Sequence, residues 1–309
     1  MKILNLGSLN IDHVYQMDHF VQPGETEKSL GFQVFPGGKG LNQSVALARA
    51  GADVYHAGKI GADGRWLVDL MCRSGVKAEA SGDAAISPEK TADGAAVLVR
   101  ETDCGTGKAI IQVNSEGQNA IILYEGANKT IDRAFIDEVL GYFEAGDILV
   151  LQNEINMVPE MIDLAWERGM QIALNPSPAN EVIHQCDLRK VRWLLLNAIE
   201  GEWLTGKKKP EEMAESLVET YPNMEVVLTL GSQGVLYRSE NRKCYQAAFE
   251  VNTVDTTGAG DTFTGYFLKC AAAGESPETA LRLASKAAAI AVSRPGAAVS
   301  IPYWDEVIE

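Results

Sequence analysis

From residue 126 onward the chain keeps one rhythm, and that rhythm narrows the possible folds more than any other feature. A helical stretch over 131–143 leads to a short apolar run at 148–151, and 159–167 leads to 171–174; the run at 193–196 opens into Asn197-Ala198-Ile199-Glu200, and 211–219 precedes 226–230. Apolar runs of this length without polar alternation suit strands covered on both faces, and the helices between them supply the crossovers that parallel strands require. The same pattern occurs at 3–6 before Gly7-Ser8, and at 54–57 before a helix at 66–73. The expected fold is α/β, a doubly wound, mostly parallel sheet flanked by helices. Right-handed crossovers bring the residues that follow each strand to one sheet edge, where such folds bind ligands.

Two stretches break the rhythm. Between 13 and 35 lie β-type pieces around Pro23-Gly24-Glu25, and 95–100, 109–113 and 119–124 are β-type runs with no helix between them. Together they predict a small antiparallel β sheet acting as a lid. The domain reading is a large α/β domain from 1–12, 36–94 and 126–309, with the lid from 13–35 and 95–125. Residues 78–94 are small, polar and turn-rich and read as a surface loop, while a hairpin is expected around 238–243 and a strand at 245–251.

Composition excludes several function classes. A formal charge of −15 on 309 residues argues against a nucleic-acid or anionic-membrane surface, which needs a basic footprint. The one basic run, Lys207-Lys208-Lys209, meets Pro210-Glu211-Glu212 at once and reads as a solvated loop. Cys72, Cys104, Cys186, Cys244 and Cys270 are scattered and form no CxxC pair, which suits a reducing compartment, the cytoplasm, and no zinc site. No apolar run reaches membrane-spanning length, and the run at 3–6 is too short for a signal peptide. Asn42-Gln43-Ser44 and Asn128-Lys129-Thr130 match the glycosylation pattern, by chance in such a compartment. His13, His19, His56 and His184 share no motif, so a hydrolase triad has no support.

The chemistry concentrates in Val254-Asp255-Thr256-Thr257-Gly258-Ala259-Gly260-Asp261, followed by an Ala-rich helical run. Glycines around Ala259 make a turn whose amides can converge on an anion at the N-terminus of the next helix. Asp261 beside that turn suits a base for a hydroxyl attacking a phosphoryl group, and equally an N-cap closing the loop. Phe263 occupies the third position of a dinucleotide fingerprint, and neither Lys39 nor Lys108 stands in a P-loop, so phosphate must be bound by another device. Asn10 and Asp12, two apart past the first strand, share a face and suit sugar hydroxyls, or local turns. In Pro36-Gly37-Gly38-Lys39-Gly40-Leu41-Asn42-Gln43 three glycines let main chain approach a ligand, with Asn42 in the first turn of a small-residue helix.

These motifs resemble the ribokinase-like (PfkB) carbohydrate kinases. Asp255 to Asp261 resembles the family's D-T-x-G-A-G-D signature, and Gly37-Gly38 with Asn42 resembles G-G-x-x-x-N. Asn197 with Glu200 matches N-x-x-E, Thr229-Leu230-Gly231-Ser232-Gln233-Gly234 resembles T-x-G-x-x-G, and the likeness runs from 7 to 300. The resemblance implies ATP-dependent phosphorylation of a small sugar's primary hydroxyl, D-ribose first, with fructose, 2-keto-3-deoxygluconate or a nucleoside as alternatives and a retired sensor as a rival. Asp261 would be the base, and the amides of Gly258, Ala259 and Gly260 would hold the moving charge. Asn10, Asp12, Gly38, Lys39, Asn42 and Glu154 would bind the sugar, and Asn197, Thr229, Gly231, Ser232 and Gly260 the ATP. Mg²⁺ would sit on Glu200 through water, and K⁺ near Asp255, Thr257, Ala291, Arg294, Gly296 and Ser300. A homodimer through the lid is expected. The 78–94 loop exceeds the family pattern and leaves the sugar open, while Tyr15 or Tyr124 could give a nucleoside base its platform.

Overall fold

The computed structural model describes residues 1–81 and 97–309. In chain order the first half runs β1 (Ile3–Leu6), β2 (Asn10–Gln16), β3 (Gly31–Gly37), α1 (Lys39–Arg49), β4 (Val54–Ile60), α2 (Arg65–Arg73), β5 (Glu79–Ser81), β6 (Val97–Glu101), β7 (Gly107–Val113), β8 (Asn119–Tyr124) and α3 (Arg133–Leu140). The second half runs β9 (Ile148–Gln152), α4 (Val158–Glu167), β10 (Gln171–Asn175), β11 (Val191–Asn197), α5 (Ala198–Thr205), α6 (Pro210–Thr220), β12 (Glu225–Thr229), β13 (Val235–Ser239), β14 (Arg242–Gln246), α7 (Ala259–Ala272), α8 (Pro277–Val292) and α9 (Trp304–Ile308).

A ten-stranded sheet has the order β14-β13-β12-β11-β10-β9-β1-β4-β6-β5. It is parallel from β5 to β12, and the β13–β14 hairpin closes the other end antiparallel. The apolar runs are continuous because both faces are covered: Ile148 and Val150 face α1, α7 and α8, while Leu149 and Leu151 face α3, α4 and α6. Burying each such side chain stabilises the fold by about 1.5–3 kcal/mol.

One contact positions the site. Gly265 on α7 lies against Ala46 and the Leu47 amide of α1, so that any Cβ there would collide with main chain. This close approach brings the first turn of α7 beside the first turn of α1, which in turn sits on the C-terminal ends of β1 and β9.

The second sheet is four-stranded, in the order β3-β2-β7-β8; β2–β3 and β7–β8 are antiparallel and the central β2–β7 pair is parallel. Several expectations need correction. The run at 95–100, expected in the lid, instead supplies β6, which pairs in parallel with β4 in the large sheet and buries Leu98 and Val99. The lid also takes in Asn10 and Asp12, which lie on β2 itself. The expected strand at 245–251 ends at Gln246, and residues 247–258 carry no regular element. Of the loop expected at 78–94, Glu79–Ser81 forms the edge strand β5 and 82–94 lie outside the described residues. Among the described residues no helix is long and apolar enough to cross a membrane.

Candidate active site

A cleft of about 350 Å³ opens where the ends of β10, β11 and β12 meet the first turn of α7, with Lys39, Asn197, Glu200, Gly231, Gly260 and Asp261 on its walls. A hollow of about 430 Å³ on the opposite edge, beside Trp166, holds none of the strand-end polar residues, and its basic groups are ion-paired.

Asp261 stands in the first turn of α7, 7% exposed. It does not cap the helix: Gly258 occupies that position at φ +75°, a left-handed conformation natural to glycine, with Ala297 packed against it. The carboxylate instead accepts from Asn42 Nδ2 at Oδ2 (3.1 Å) and from Gln43 Nε2 at Oδ1 (2.9 Å). Burial pushes its pKa up, against the opposing pull of Lys39 and the two amides. The Ala259 amide bonds the Thr256 carbonyl (3.3 Å), whereas Gly260, in the first turn, has no carbonyl four residues back in the helix and faces the cleft. Lys39 is half-buried; burial lowers its pKa, but the carboxylates of Asp261, Glu154 and Glu200 outweigh that and raise it.

The other expected sugar contacts gather nearby. Glu154 accepts from Ser8 Oγ (2.5 Å) and from the Lys39 amide (2.9 Å), so it stands at the N-terminus of α1. Gly38 caps α1 at φ +94°, pressed against the Ser8 carbonyl. Asp12 folds over Gly37, where any Cβ would strike both carboxylate oxygens; burial, and then Glu154, push its pKa up to about 7. Asn10 Oδ1 accepts from Asn128 Nδ2 (2.7 Å), and Asn128 Oδ1 takes the Leu9 amide (3.0 Å).

On the other wall, Asn197 and Glu200 form a reciprocal capping box on α5: Glu200 N donates to Asn197 Oδ1 (2.9 Å) and Asn197 N to Glu200 Oε2 (3.0 Å). Thr229 Oγ1 donates to the Leu196 carbonyl (3.3 Å), and Gly231 lines the cleft while the exposed Ser232 does not. Asp255 ties two loops together, accepting from the Thr257 amide and the Gly296 amide (each 2.9 Å). In the 291–300 loop the Ala291 carbonyl accepts from the Arg294 amide, the Arg294 guanidinium donates to Glu306, and Ser300 Oγ donates to the Ala297 carbonyl.

Residues 1–83 and 95–304 match the model of the pfkB family carbohydrate kinases. The chain belongs to this family. It is 33% identical over 308 residues to the ribokinase of Bacillus subtilis, covering 98% of this chain and 97% of that protein. Among solved structures it resembles ribokinase from Thermotoga maritima, with TM-score 0.84 and 33% identity over 99% of this chain and 97% of the other. Ribokinase from Arabidopsis thaliana complexed with ribose and ATP aligns with TM-score 0.80 and 27% identity, over 99% and 97%.

In this family member Asn42 and Asp261 are hydrogen-bonded and Glu200 lines the same cleft as Asp261, while Gln43, Asn128 and Ser8, which no sequence motif singles out, bond the side chains of Asp261, Asn10 and Glu154. In the sequence Asn128 carries only a chance glycosylation match; in the fold it is 3% exposed and its amide is fully occupied. The one signal for Gln43 was its place beside Asn42 in the first turn of α1.

Proposed function

We propose that the chain transfers the γ-phosphoryl group of ATP to the primary hydroxyl of D-ribose, giving D-ribose 5-phosphate and ADP. The observation that carries this reading is the buried Asp261 carboxylate, held by Asn42 and Gln43 at the start of α7, with Lys39 and the sugar-side residues Asp12 and Glu154 around it. The names of the relatives at 33% identity, and the ribose and ATP in the Arabidopsis structure, support it.

Asn10, Asp12 and Glu154 hold the sugar hydroxyls. Asn42 Oδ1 is buried with no partner among the described residues and accepts one more. Asp261 takes the proton of the primary hydroxyl as that oxygen attacks phosphorus; its raised pKa makes it a stronger base than a solvated carboxylate. The Gly260 amide and the positive end of α7 face the charge on the transferred group, and Lys39 neutralises part of it. The nucleotide lies along Asn197, Thr229 and Gly231.

A divalent cation such as Mg²⁺ accompanies ATP and neutralises phosphate charge. The residues fit it: the capping bond engages only Oε2 of Glu200, which leaves Oε1 for a metal-bound water at the cleft wall. For K⁺, Asp255, Thr257 and Gly296 form the nearest set, joined by the bonds described above. A homodimer forms through the lid, where Ile121, Ile122, Leu123 and Tyr124 are all exposed on the edge strand β8. The scattered cysteines suit the cytoplasm.

Strand registers favour a sugar over a nucleoside. Tyr15 is three positions from Asp12 on β2, and Tyr124 pairs with Lys108 beside the Asp12 partner Ala109, so both tyrosines alternate onto the face away from Asp12.

ADP release should be greatest with D-ribose among ribose, 2-deoxyribose, fructose, 2-keto-3-deoxygluconate and nucleosides, and Asp261→Asn should lower kcat at least about 10²-fold with sugar binding kept. Turnover of Asp261→Asn within tenfold of wild type would refute the base, and ADP release confined to a nucleoside would refute the sugar.

A further inference from the structure

Gln43 is fully buried on α1. It donates from Nε2 to Asp261 Oδ1 (2.9 Å) and to Asn175 Oδ1 (3.3 Å), while its Oε1 accepts from Gln152 Nε2 (2.7 Å). The orientation of each amide follows from partners that can play only one part. Asn5 Nδ2 must face the Gly40 carbonyl (2.8 Å), so Asn5 Oδ1 faces Gln152 Nε2 (3.0 Å). Asn175 Nδ2 must face the Leu195 carbonyl (2.7 Å), which leaves Asn175 Oδ1 for Gln43. Gln152 keeps its orientation although its Oε1 is buried with no partner among the described residues; turned over, that oxygen would oppose the acceptors of both Asn5 and Gln43. The Gly40 and Leu195 carbonyls thus fix the orientations of Asn5 and Asn175, and these, with Gln152 between Asn5 and Gln43, leave Gln43 presenting its donor to one oxygen of Asp261.

We propose that Gln43 is a positioning residue for phosphoryl transfer, oriented by Asn5, Gln152 and Asn175 so that it presents only a donor to Asp261. This keeps the carboxylate ionised in one orientation, with Oδ2, the oxygen bonded by Asn42 at 3.1 Å, available to the sugar proton. The proposal rests on Asp261 being the base. The charged groups around Asp261 are Lys39 of α1 and Glu154 beyond β9; Lys39 also faces Glu200 of α5, and Glu154 faces Asp12 of β2.

The test is the pH dependence of kcat for the full chain at saturating sugar and ATP, conditions that report the enzyme–substrate complex and keep Asp12 covered by sugar. Gln43→Glu sets a second carboxyl against Asp261 Oδ1, and the acid limb of the profile should move up by about one unit or more, because like charges disfavour ionisation. At pH 7 kcat should fall about 10–100-fold, with sugar KM within about threefold, as expected when the loss is confined to the transition state. Gln152→Glu does not touch Asp261; lacking an amide donor, it frees Gln43 to turn its oxygen toward Oδ1, and the limb should move the same way by roughly half a unit. A purely structural role would lower kcat or melting temperature without moving the limb. Limbs that coincide with wild type in both variants, or a KM that rises as kcat falls, would overturn the proposal. If Gln43→Glu does not fold, Gln152→Glu decides alone on the same limb. Asp261→Asn separates the two readings: retained turnover there removes the base, whereas an inactive Asp261→Asn beside unmoved limbs in the glutamine variants removes only the relay.

Discussion

On the side of the cleft assigned above to the sugar, Asn10, Glu154 and Asp261 are each held by a partner from another part of the chain: Asn10 by Asn128, Glu154 by Ser8 and the Lys39 amide, Asp261 by Asn42 and Gln43. On the nucleotide side the bonds are local or between adjoining strands, Asn197 with Glu200 and Thr229 with the Leu196 carbonyl, and Gly231 and Ser232 stand exposed. The contrast follows from what each side must do. A small sugar and a moving proton need donors and acceptors fixed before the reaction, because only preorganised groups stabilise the transition state without reorganisation cost. A nucleotide arrives with its own charge and cation and needs mainly a shaped wall. Changes on the first side should therefore damage catalysis through geometry, and changes on the second should act on affinity.

The largest effect is expected where the sugar side is assembled. Gly265→Val drives a side chain into Ala46 and the Leu47 main chain and forces α7 away from α1. Overpacking of this kind costs about 1–3 kcal/mol or more, so thermal melting should show a drop of several degrees. Turnover should fall further than stability does, since Asp261 moves off Asn42 and Gln43. Full activity in Gly265→Val would show that the α1–α7 spacing does not set the site.

Asp12 tests the same side through pH. Its folded pKa, about 7, lies above the ordinary carboxylate value of 3.8, so between those values the folded state binds more protons than the unfolded chain. Stability must then fall as pH rises through that window and level off above it. The slope attributable to Asp12 stays below about 1.4 kcal/mol per pH unit, the limit for one proton. Asp261 is shifted in the same direction, so the readout is the difference between wild type and Asp12→Asn in melting curves at pH 5 to 8 without sugar. A difference that does not change with pH would mean that Asp12 is not buried against Glu154 in solution.

Glu200→Gln probes the opposite wall. Glutamine keeps the capping box, which accepts either residue, but removes the charge. Melting should change by no more than about a degree, as for a neutral exchange at a retained cap, while the Mg²⁺ concentration needed for half-maximal rate rises about tenfold. A tenfold loss of kcat at saturating Mg²⁺ and ATP would instead place Glu200 with the preorganised groups.

The contrast also explains how much could be read from the chain. Strands β9, β10, β11 and β12 announce themselves because burial on both faces leaves short apolar runs, β1 does so with Asn5 as its single polar residue, and Asp261, Asn42 and Glu200 stand in local motifs. The place of β6 is not legible, because a buried apolar run does not name its neighbour and β4 lies far back in sequence. Gln43, Asn128 and Gln152 act through partners more than 100 residues away, and an amide carries no sign of its partner until the fold brings the two together. The expected strand at 245–251 ends at Gln246, and the later approach to the glycine turn is held by bonds from Val254 and Asp255 to the Val292 carbonyl and from the Gly296 amide to Asp255, contacts that leave no periodicity.

Ser232→Ala should have the smallest effect and sharpens the comparison most finely. The residue lies in the family-like loop after β12, yet its side chain is exposed in a 3₁₀ turn and lies outside the lining of the cleft, whereas Gly231 beside it forms part of the wall at φ +59°. If the loop serves the nucleotide through main chain and shape, removing the hydroxyl leaves both intact. The expected change in ATP KM is under about twofold, with kcat and melting temperature unaltered, since exposed substitutions away from special contacts stay within about 0.5 kcal/mol. A tenfold rise in ATP KM would mean that the loop closes over the nucleotide and brings Ser232 Oγ to a phosphate, and the nucleotide wall would then be assembled by its ligand where the sugar wall is assembled in advance.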